Sequence, residues 1–230
     1  MIPARLGSER LPRKNLVLIR GEPLIAHVIK AAKESGVFDR IVVNSESPVF
    51  GEIARQYGVE FYRRPDQLAQ SDTRSDEVVY DFAVKHVTDV IAWVNPIAPL
   101  QPGQELRKVA TYFVDAGLDS LITVREERVH CNFQGRPINY TMGEKFARTQ
   151  DLEPVQRFVY SVMMWRRNGF MTEYERQGHA ILYGHVGFFP VSQLSSLIVK
   201  TEEDIKICEY ILAGIFQGGK PLAYFTDSPR

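Results

Sequence analysis

Short apolar runs alternate with amphipathic helical stretches along this chain, and glycines mark where the helices end. Pro23 suits the first position of a helix over residues 23–35, and Gly36 suits the position just past its end. Leu24, Ile25, Val28, Ile29 and Ala32 form an apolar stripe at helical spacing. His27 falls off that stripe and is expected at the surface. Ile41-Val42-Val43 reads as a short buried strand, followed by the polar run Asn44-Ser45-Glu46-Ser47-Pro48. Residues 48–57 predict a second helix closed by Gly58, and Glu60 to Tyr62 a second strand. Val90 to Val94 reads as a central strand, 104–116 as a helix ending at Gly117, Ser120 to Val124 as another strand, and 158–165 as a core strand carrying Trp165. This βαβα rhythm predicts one α/β domain over residues 1–230, with a mostly parallel sheet and helices on both faces.

The first strand leads into a basic loop. Arg5, Arg10, Arg13 and Lys14 fall within residues 2–15, interleaved with Gly7, Ser8 and Pro12. Gly7 lets the backbone come close to a ligand. Exposed N–H groups and guanidinium forks suit phosphate oxygens, and Lys14 adds a compact point charge. The spacing is not that of a Walker P-loop, and taken alone it also describes a solvated turn. A first core strand wants about five residues, but only Met1 and Ile2 precede Pro3. Strand one is therefore expected to be a stub or to start upstream.

Composition removes several classes of function. Lysine plus arginine balance aspartate plus glutamate at 28 each, so no bulk field draws the chain to nucleic acid or to a membrane surface. No apolar run approaches the roughly 18 residues of a membrane span, and the start lacks the apolar core of a signal peptide. Cys131 and Cys208 are far apart and form no C-x-x-C pair. They are expected as free thiols in a reducing cytoplasm, with no zinc or disulfide framework.

The ordered pattern I-P-A-R-x-G-S-x-R-x-P-x-K-N over residues 2–15 resembles the signature of cytidylyltransferases that make CMP-activated acid sugars. Its G-S and K-N pairs resemble the CMP-sialic acid synthetases (acylneuraminate cytidylyltransferases) more than the CMP-Kdo synthetases. Arg64-Pro65-Asp66-Gln67-Leu68-Ala69 resembles a further family segment, and Ser71-Asp72-Thr73-Arg74-Ser75 the stretch that opens its next helix. The resemblance implies a three-layer, Rossmann-like nucleotide-diphosphosugar transferase fold. It implies transfer of CMP from CTP to an acylneuraminate-like acid sugar with release of pyrophosphate. Mg²⁺ would be held mainly by the CTP phosphates. Arg5 and Lys14 would be catalytic, stabilising charge on the β- and γ-phosphates, and Ser8 and Arg10 would orient them. Ala4, Gly7, Asn15, Arg64, Ser75 and Asn95 would complete the nucleotide site. Ser75 equally suits a plain helix N-cap, with Asp76 and Glu77 favouring the helix dipole.

The polar stretch 125–157, with a turn at Gly135-Arg136-Pro137, is long for a simple connection. It resembles the family's β-rich insertion, which implies a dimerisation arm and a homodimer. Within it Arg148-Thr149-Gln150-Asp151-Leu152-Glu153-Pro154 resembles R-x-Q-D-L-x-P, placing Arg148 and Gln150 on the acceptor side. Elsewhere the chain departs from the pattern. Asn95-Pro96-Ile97-Ala98-Pro99-Leu100-Gln101 keeps an amide but loses the family's hydroxyls and cation, and Tyr160-Ser161 replaces an N-G pair. Ile198 and Lys200 stand where a metal-holding D-x-D would precede Thr201-Glu202-Glu203-Asp204, so no metal ligands are assigned. Thr201 and Asp204 read instead as a capping-box-like helix start. Lys200 is either a solvated lysine, a stand-in for part of the metal's charge, or a contact to a charged acceptor. The alternatives are thus a Kdo-like or phosphonate acceptor, or a non-catalytic nucleotide-binding homologue.

Overall fold

The computed structural model describes residues 1–216 and Gly218. In chain order the elements are β1 (Ile2–Pro3), β2 (Leu18–Ile19), β3 (Glu22–Pro23), α1 (Leu24–Ser35), β4 (Val42–Ser45), α2 (Pro48–Gln56), β5 (Glu60–Arg63), α3 (Ser75–Lys85) and β6 (Val90–Val94). They continue as α4 (Gly103–Asp115), β7 (Ser120–Glu127), β8 (Asn132–Phe133), β9 (Arg136–Pro137), β10 (Val155–Arg166), α5 (Arg167–Gln177), β11 (Val186–Pro190) and α6 (Glu202–Phe216).

Two ladders make the central layer. One runs β1-β4-β5, all parallel. The other runs β11-β7-β10-β6, with β11 parallel to β7 and β10 antiparallel to both neighbours. The Val94 N–H donates to Met1 O (3.0 Å) and the Met1 amine donates to Ala92 O (2.8 Å), which sets β6 beside β1 and joins the ladders. The sheet is thus parallel except at β10. Strand one comprises two residues, Ile2–Pro3.

Adjacent residues of the central strands face opposite ways, the period of two that a pleated strand imposes. Val43, Ala92, Leu121 and Met164 join a core with α1, α2 and α4. Val42, Ile91, Ile122 and Met163 join another with α3 and α5, where Trp165 and Phe170 are fully buried. Helices therefore cover both faces, giving three layers. A third cluster, with Ile19, Leu24, Leu100, Val199, Ile205 and Cys208, packs α6 and its lead-in against the β2–β3 hairpin.

Helix ends follow the glycines. Gly36, Gly58 and Gly117 adopt φ of 63°, 66° and 61°, the left-handed region that other residues enter at a cost. Gly103 answers a different need. A Cβ there would lie 2.7 Å from Ala31 O and 2.8 Å from Ser35 N, so α4 can start against the end of α1 only with glycine.

The structure corrects several expected boundaries. Asn44 and Ser45 do not leave the strand: they are its fully buried end, paired with Pro3 on one side and Tyr62 and Arg63 on the other. Pro23 precedes α1 as its N-cap rather than forming its first residue. His27 is half-buried, with Nε2 3.0 Å from Ile19 O. Ser75 is the first residue of α3, not its cap; Arg74 holds that position and offers no side-chain hydrogen bond. Asp76 serves a distant segment, accepting from the Ala180 and Ile181 N–H groups at 2.6 and 3.1 Å.

Beyond the core, β7 and β10 continue as a two-stranded ladder from which residues 128–154 project. A register shift between Phe158 and Met163 accompanies Tyr160 at φ 59°, where the sequence carries Tyr-Ser in place of Asn-Gly. The turn in the arm is Gln134-Gly135 (φ 50° and 76°), one position earlier than expected, and Arg136–Pro137 belongs to β9. Cys131 is half-buried and Cys208 buried, and both are free.

Candidate active site

The basic loop leaves β1 at the carboxyl end of the parallel strands, where open α/β sheets bind ligands. It is stitched to the rest of the fold by distant partners. The Ala4 N–H donates to Asn44 O (2.9 Å), and Ala4 O accepts from Arg64 Nη2 (2.9 Å). The Leu6 N–H donates to Glu46 Oε1 (2.7 Å), while Glu46 Oε2 lies 3.4 Å from Arg64 Nη2. Arg5 Nη1 reaches the carbonyls of Gln70 (2.9 Å) and Ala69 (3.4 Å). A loop with this many fixed points is pre-shaped for a ligand, which lowers the ordering cost of binding.

These contacts surround a cleft of about 310 Å³. All ten residues read from the sequence as nucleotide-binding line it: Ala4, Arg5, Gly7, Ser8, Arg10, Lys14, Asn15, Arg64, Ser75 and Asn95. No other atom crowds the place where a Gly7 Cβ would be, so the backbone there is open to a close approach. The Asn95 amide is already partly engaged, with Nδ2 donating to Tyr160 O (3.2 Å) and Oδ1 accepting from the Ile97 N–H (3.4 Å).

Burial pushes the Lys14 ammonium below the ordinary lysine range, and the charges of Arg10, Arg5 and Lys200 push it further; only Asp204 opposes them. Burial also lowers the Arg64 guanidinium, with Glu46 opposing. An arginine stays charged regardless, so the cleft is crowded with cations that a polyanion would relieve. Three buried polar atoms of the lining residues have no partner among the described residues: Asn15 Oδ1, Arg64 Nε and Trp93 Nε1. Such orphaned groups cost free energy until a ligand or water meets them. Together they offer two donors and one acceptor.

The residues expected on the acceptor side do not line this cleft. Arg148 and Gln150 are exposed at the Thr149–Asp151 turn of the arm and do not line the cleft of their own chain. Arg148 is tied to its neighbour Asp151, with Nε 2.7 Å from Oδ2. Lys200 does not line the cleft either, yet its charge bears on Lys14. The segment before it is fastened to the cleft wall by the Val199 N–H, which donates to Ile97 O (2.9 Å). The expected capping box is present. Asp204 Oδ2 accepts from the Thr201 N–H (2.8 Å) and hydroxyl (2.9 Å), and the Asp204 N–H faces Thr201 Oγ1 at 3.4 Å.

Glu46 and Trp93 were not legible as site residues. Glu46 follows a strand in a polar run that looks like an ordinary connection, and its partners are 18 and 40 residues away. Trp93 reads as one more apolar residue of a core strand. The placement of an indole N–H against a cleft leaves no trace in local sequence.

A family model described as cytidylyltransferase matches residues 1–198. An N-acylneuraminate cytidylyltransferase of Streptococcus agalactiae is 29% identical over 164 residues, which cover 67% of this chain and 40% of that protein. A CMP-N,N'-diacetyllegionaminic acid synthase of Legionella pneumophila is 38% identical over 112 residues, 48% of each chain. Among solved structures, a CMP:2-keto-3-deoxy-manno-octonic acid synthetase complexed with CTP matches with a TM-score of 0.72 at 16% identity, over 93% of this chain and 97% of that one. Likeness at that identity is likeness of fold. The chain spans about two fifths of the length of the first curated relatives it matches, 40% in each.

Proposed function

We propose that this chain, which belongs to the cytidylyltransferase family, couples CTP to an acidic sugar of the acylneuraminate kind, giving a CMP-sugar and pyrophosphate. One observation carries the reading: the basic loop, Arg64, Ser75 and Asn95 converge on a single cleft whose cations have too few carboxylates to answer them. An acceptor oxygen attacks the α-phosphorus of CTP, and the bond to the β-phosphate oxygen breaks. Such transfer is catalysed chiefly by positioning and charge neutralisation. Arg5 and Lys14 take the charge that builds on the departing pyrophosphate. Ser8, Arg10 and the open backbone at Gly7 orient the phosphates. Asn15 and Arg64, with their orphaned polar atoms, meet the nucleoside.

Mg²⁺ enters as part of the substrate, carried on the CTP phosphates. Arg148 and Gln150 are placed on the acceptor side by resemblance. The arm that bears them exposes Phe133, Met142 and Phe146, which supports a homodimer contact there. Free thiols at Cys131 and Cys208 agree with a cytoplasmic setting. Among the described residues no helix is long and apolar enough to cross a membrane.

Lys200, standing where the resemblance would put a metal-holding aspartate, favours a second reading in which the acceptor is a Kdo-like sugar or a phosphonate. Pyrophosphate release from CTP with a panel of acid sugars and phosphonates tests both. Release with acylneuraminates supports the main reading, release with the other acceptors alone moves the assignment to the second, and none with any acceptor leaves a nucleotide-binding homologue.

A further inference from the structure

Tyr160 stands in the left-handed region at φ 59°, which a bulky side chain enters only at a cost. It lies in the irregular stretch between Phe158 and Met163, where β10 shifts its register against β7. Asparagine and glycine hold such a backbone more easily, and the pattern that the chain resembles has Asn-Gly where Tyr160-Ser161 stands. Irregularities of this kind beside a binding site re-aim a side chain. Here Ser161 turns inward, fully buried with its hydroxyl 3.1 Å from Thr123 Oγ1, and Tyr160 turns outward, 47% exposed.

The turned-out residue is fastened to the cleft wall. Asn95, which lines the cleft, donates from its backbone N–H to Ser161 O (2.8 Å) and from Nδ2 to Tyr160 O (3.2 Å). Val162 pairs antiparallel with Val94, the last residue of β6, so Tyr160 sits past the carboxyl end of that strand, where the cleft opens. Its ring meets Phe158 edge to face, with centroids 5.7 Å apart and planes at 82°. Phe158 and the cleft-lining Trp93 pack against the same core cluster, which puts Phe158 on the sheet face to which Trp93 turns. Strand order sets the distances across the site. The cationic loop follows β1, Asn95 follows β6, and Tyr160 is on β10, one strand further from the loop.

Resting on the cytidylyltransferase reading above, we infer that Tyr160 is a specificity-determining residue for the acceptor: its exposed ring carries the apolar C–H face of the acid sugar while the nucleotide fills the cleft on the other side of Asn95. A sugar ring presents such a face beside its hydroxyls, and a tyrosine ring offers a rigid apolar body to set it against. The unfavourable backbone at Tyr160 is kept because it is what presents the ring. Strain of this kind gathers at ligand clamps, where the fold around it holds it in place.

Steady-state pyrophosphate release from CTP and Mg²⁺, with N-acetylneuraminate as the acceptor, tests it in the whole chain. Tyr160→Asn removes the ring and suits the left-handed backbone. It should raise the acceptor KM about tenfold, the loss of one aromatic contact, with the CTP KM and the thermal midpoint no worse than wild type. Tyr160→Phe keeps the ring and should stay within about twofold of wild type in both KM values, since the apolar face is what binds. A wild-type acceptor KM in Tyr160→Asn overturns the inference and leaves the cytidylyltransferase reading standing. So does an equal rise in both KM values with a lower midpoint, which is what a merely structural tyrosine bracing Asn95 gives. Should Tyr160→Asn not fold, Tyr160→Leu takes its place with the same expected split between the two KM values. Wild-type protein that binds CTP and releases no pyrophosphate with N-acetylneuraminate overturns both the inference and the acid-sugar reading beneath it.

Discussion

The cleft and the arm are both polar and both rich in arginine, yet they are built differently. In the cleft, bonds span great distances along the chain: Leu6 to Glu46, Ala4 to Arg64, Arg5 to Gln70. Asn15 and Arg64 are buried in its wall, and each has a polar atom with no partner among the described residues. In the arm, contacts are mostly local. Asn139 bonds Val129, Cys131 and Glu153, Tyr140 bonds Asn132, and Arg148 pairs with Asp151 three residues on. The arm also leaves Phe133, Met142 and Phe146 in solvent. A site made of long-range contacts inherits the rigidity of the core. A segment made of local ones folds over itself and leaves its outer surface free for something else. The same residue type therefore has different consequences: Arg64 cannot be lost without stranding its partners, whereas Arg148 can.

The largest effect expected from this difference is at Glu46. Glu46→Ala removes the acceptor of the Leu6 N–H and leaves the buried Arg64 charge with a carbonyl only. Loss of one partner from a buried pair costs about 3 kcal/mol, read as a lower urea midpoint, and turnover should fall with it because the loop loses its anchor. Wild-type stability in this variant would show that the loop is not held from below.

Lys14→Ala comes next. On the proposed function, removing a group that stabilises charge in the transition state costs about a hundredfold or more in turnover, measured as pyrophosphate release, with little change in stability because the Lys14 side chain makes no hydrogen bond or ion pair among the described residues. Wild-type turnover would place the chemistry outside the basic loop.

Asp204 gives a smaller effect with a defined pH sense. Burial raises its carboxyl, but hydrogen bonds from the Lys200 and Thr201 N–H groups and the Thr201 hydroxyl, with the Lys200 charge, outweigh that and hold it below the ordinary aspartate range. Its folded pKa is thus below its unfolded one. The stability it adds is whole above the unfolded value and is lost as pH falls through the folded value. Asp204→Asn should cost about 1 kcal/mol or less at neutral pH, the worth of a cap reduced by solvent exposure, and should flatten the acid limb of the stability curve. An unchanged acid limb would mean the cap does not hold α6.

The smallest effect is at Arg148. Arg148→Ala breaks only an exposed pair and should leave the melting temperature and CTP affinity unchanged. A rise of a few-fold in acceptor KM alone would sharpen the division between cleft and arm. A loss of CTP affinity would erase it.

Much of this was legible in the sequence. The helix stops at Gly36, Gly58 and Gly117, the apolar stripe of α1 and the Thr201–Asp204 cap are local events, decided by residues within a turn of one another. The residues of the cleft could be named because the basic loop is contiguous and because separate segments resembled one family in order. Other features were not legible. Asn44 and Ser45 look like a polar connection and are a buried strand end. Ser75 looks like a cap, yet α3 starts one residue earlier and Asp76 reaches across to Ala180.

The sequence alone determined most of the core strands and helices, though not β2, β3, α5 or β11, together with their alternation and the chemical character of the opening loop, since propensity, periodicity and charge are properties of neighbouring residues. Only the tertiary structure decided that β10 runs antiparallel between β6 and β7, that Glu46 anchors the loop at Leu6 and Arg64, and that Val199 ties the lead-in of α6 to Ile97 of the cleft wall. Each of these depends on which distant surfaces find one another. That choice is made by the packing of the whole core and is written in no single stretch of the chain.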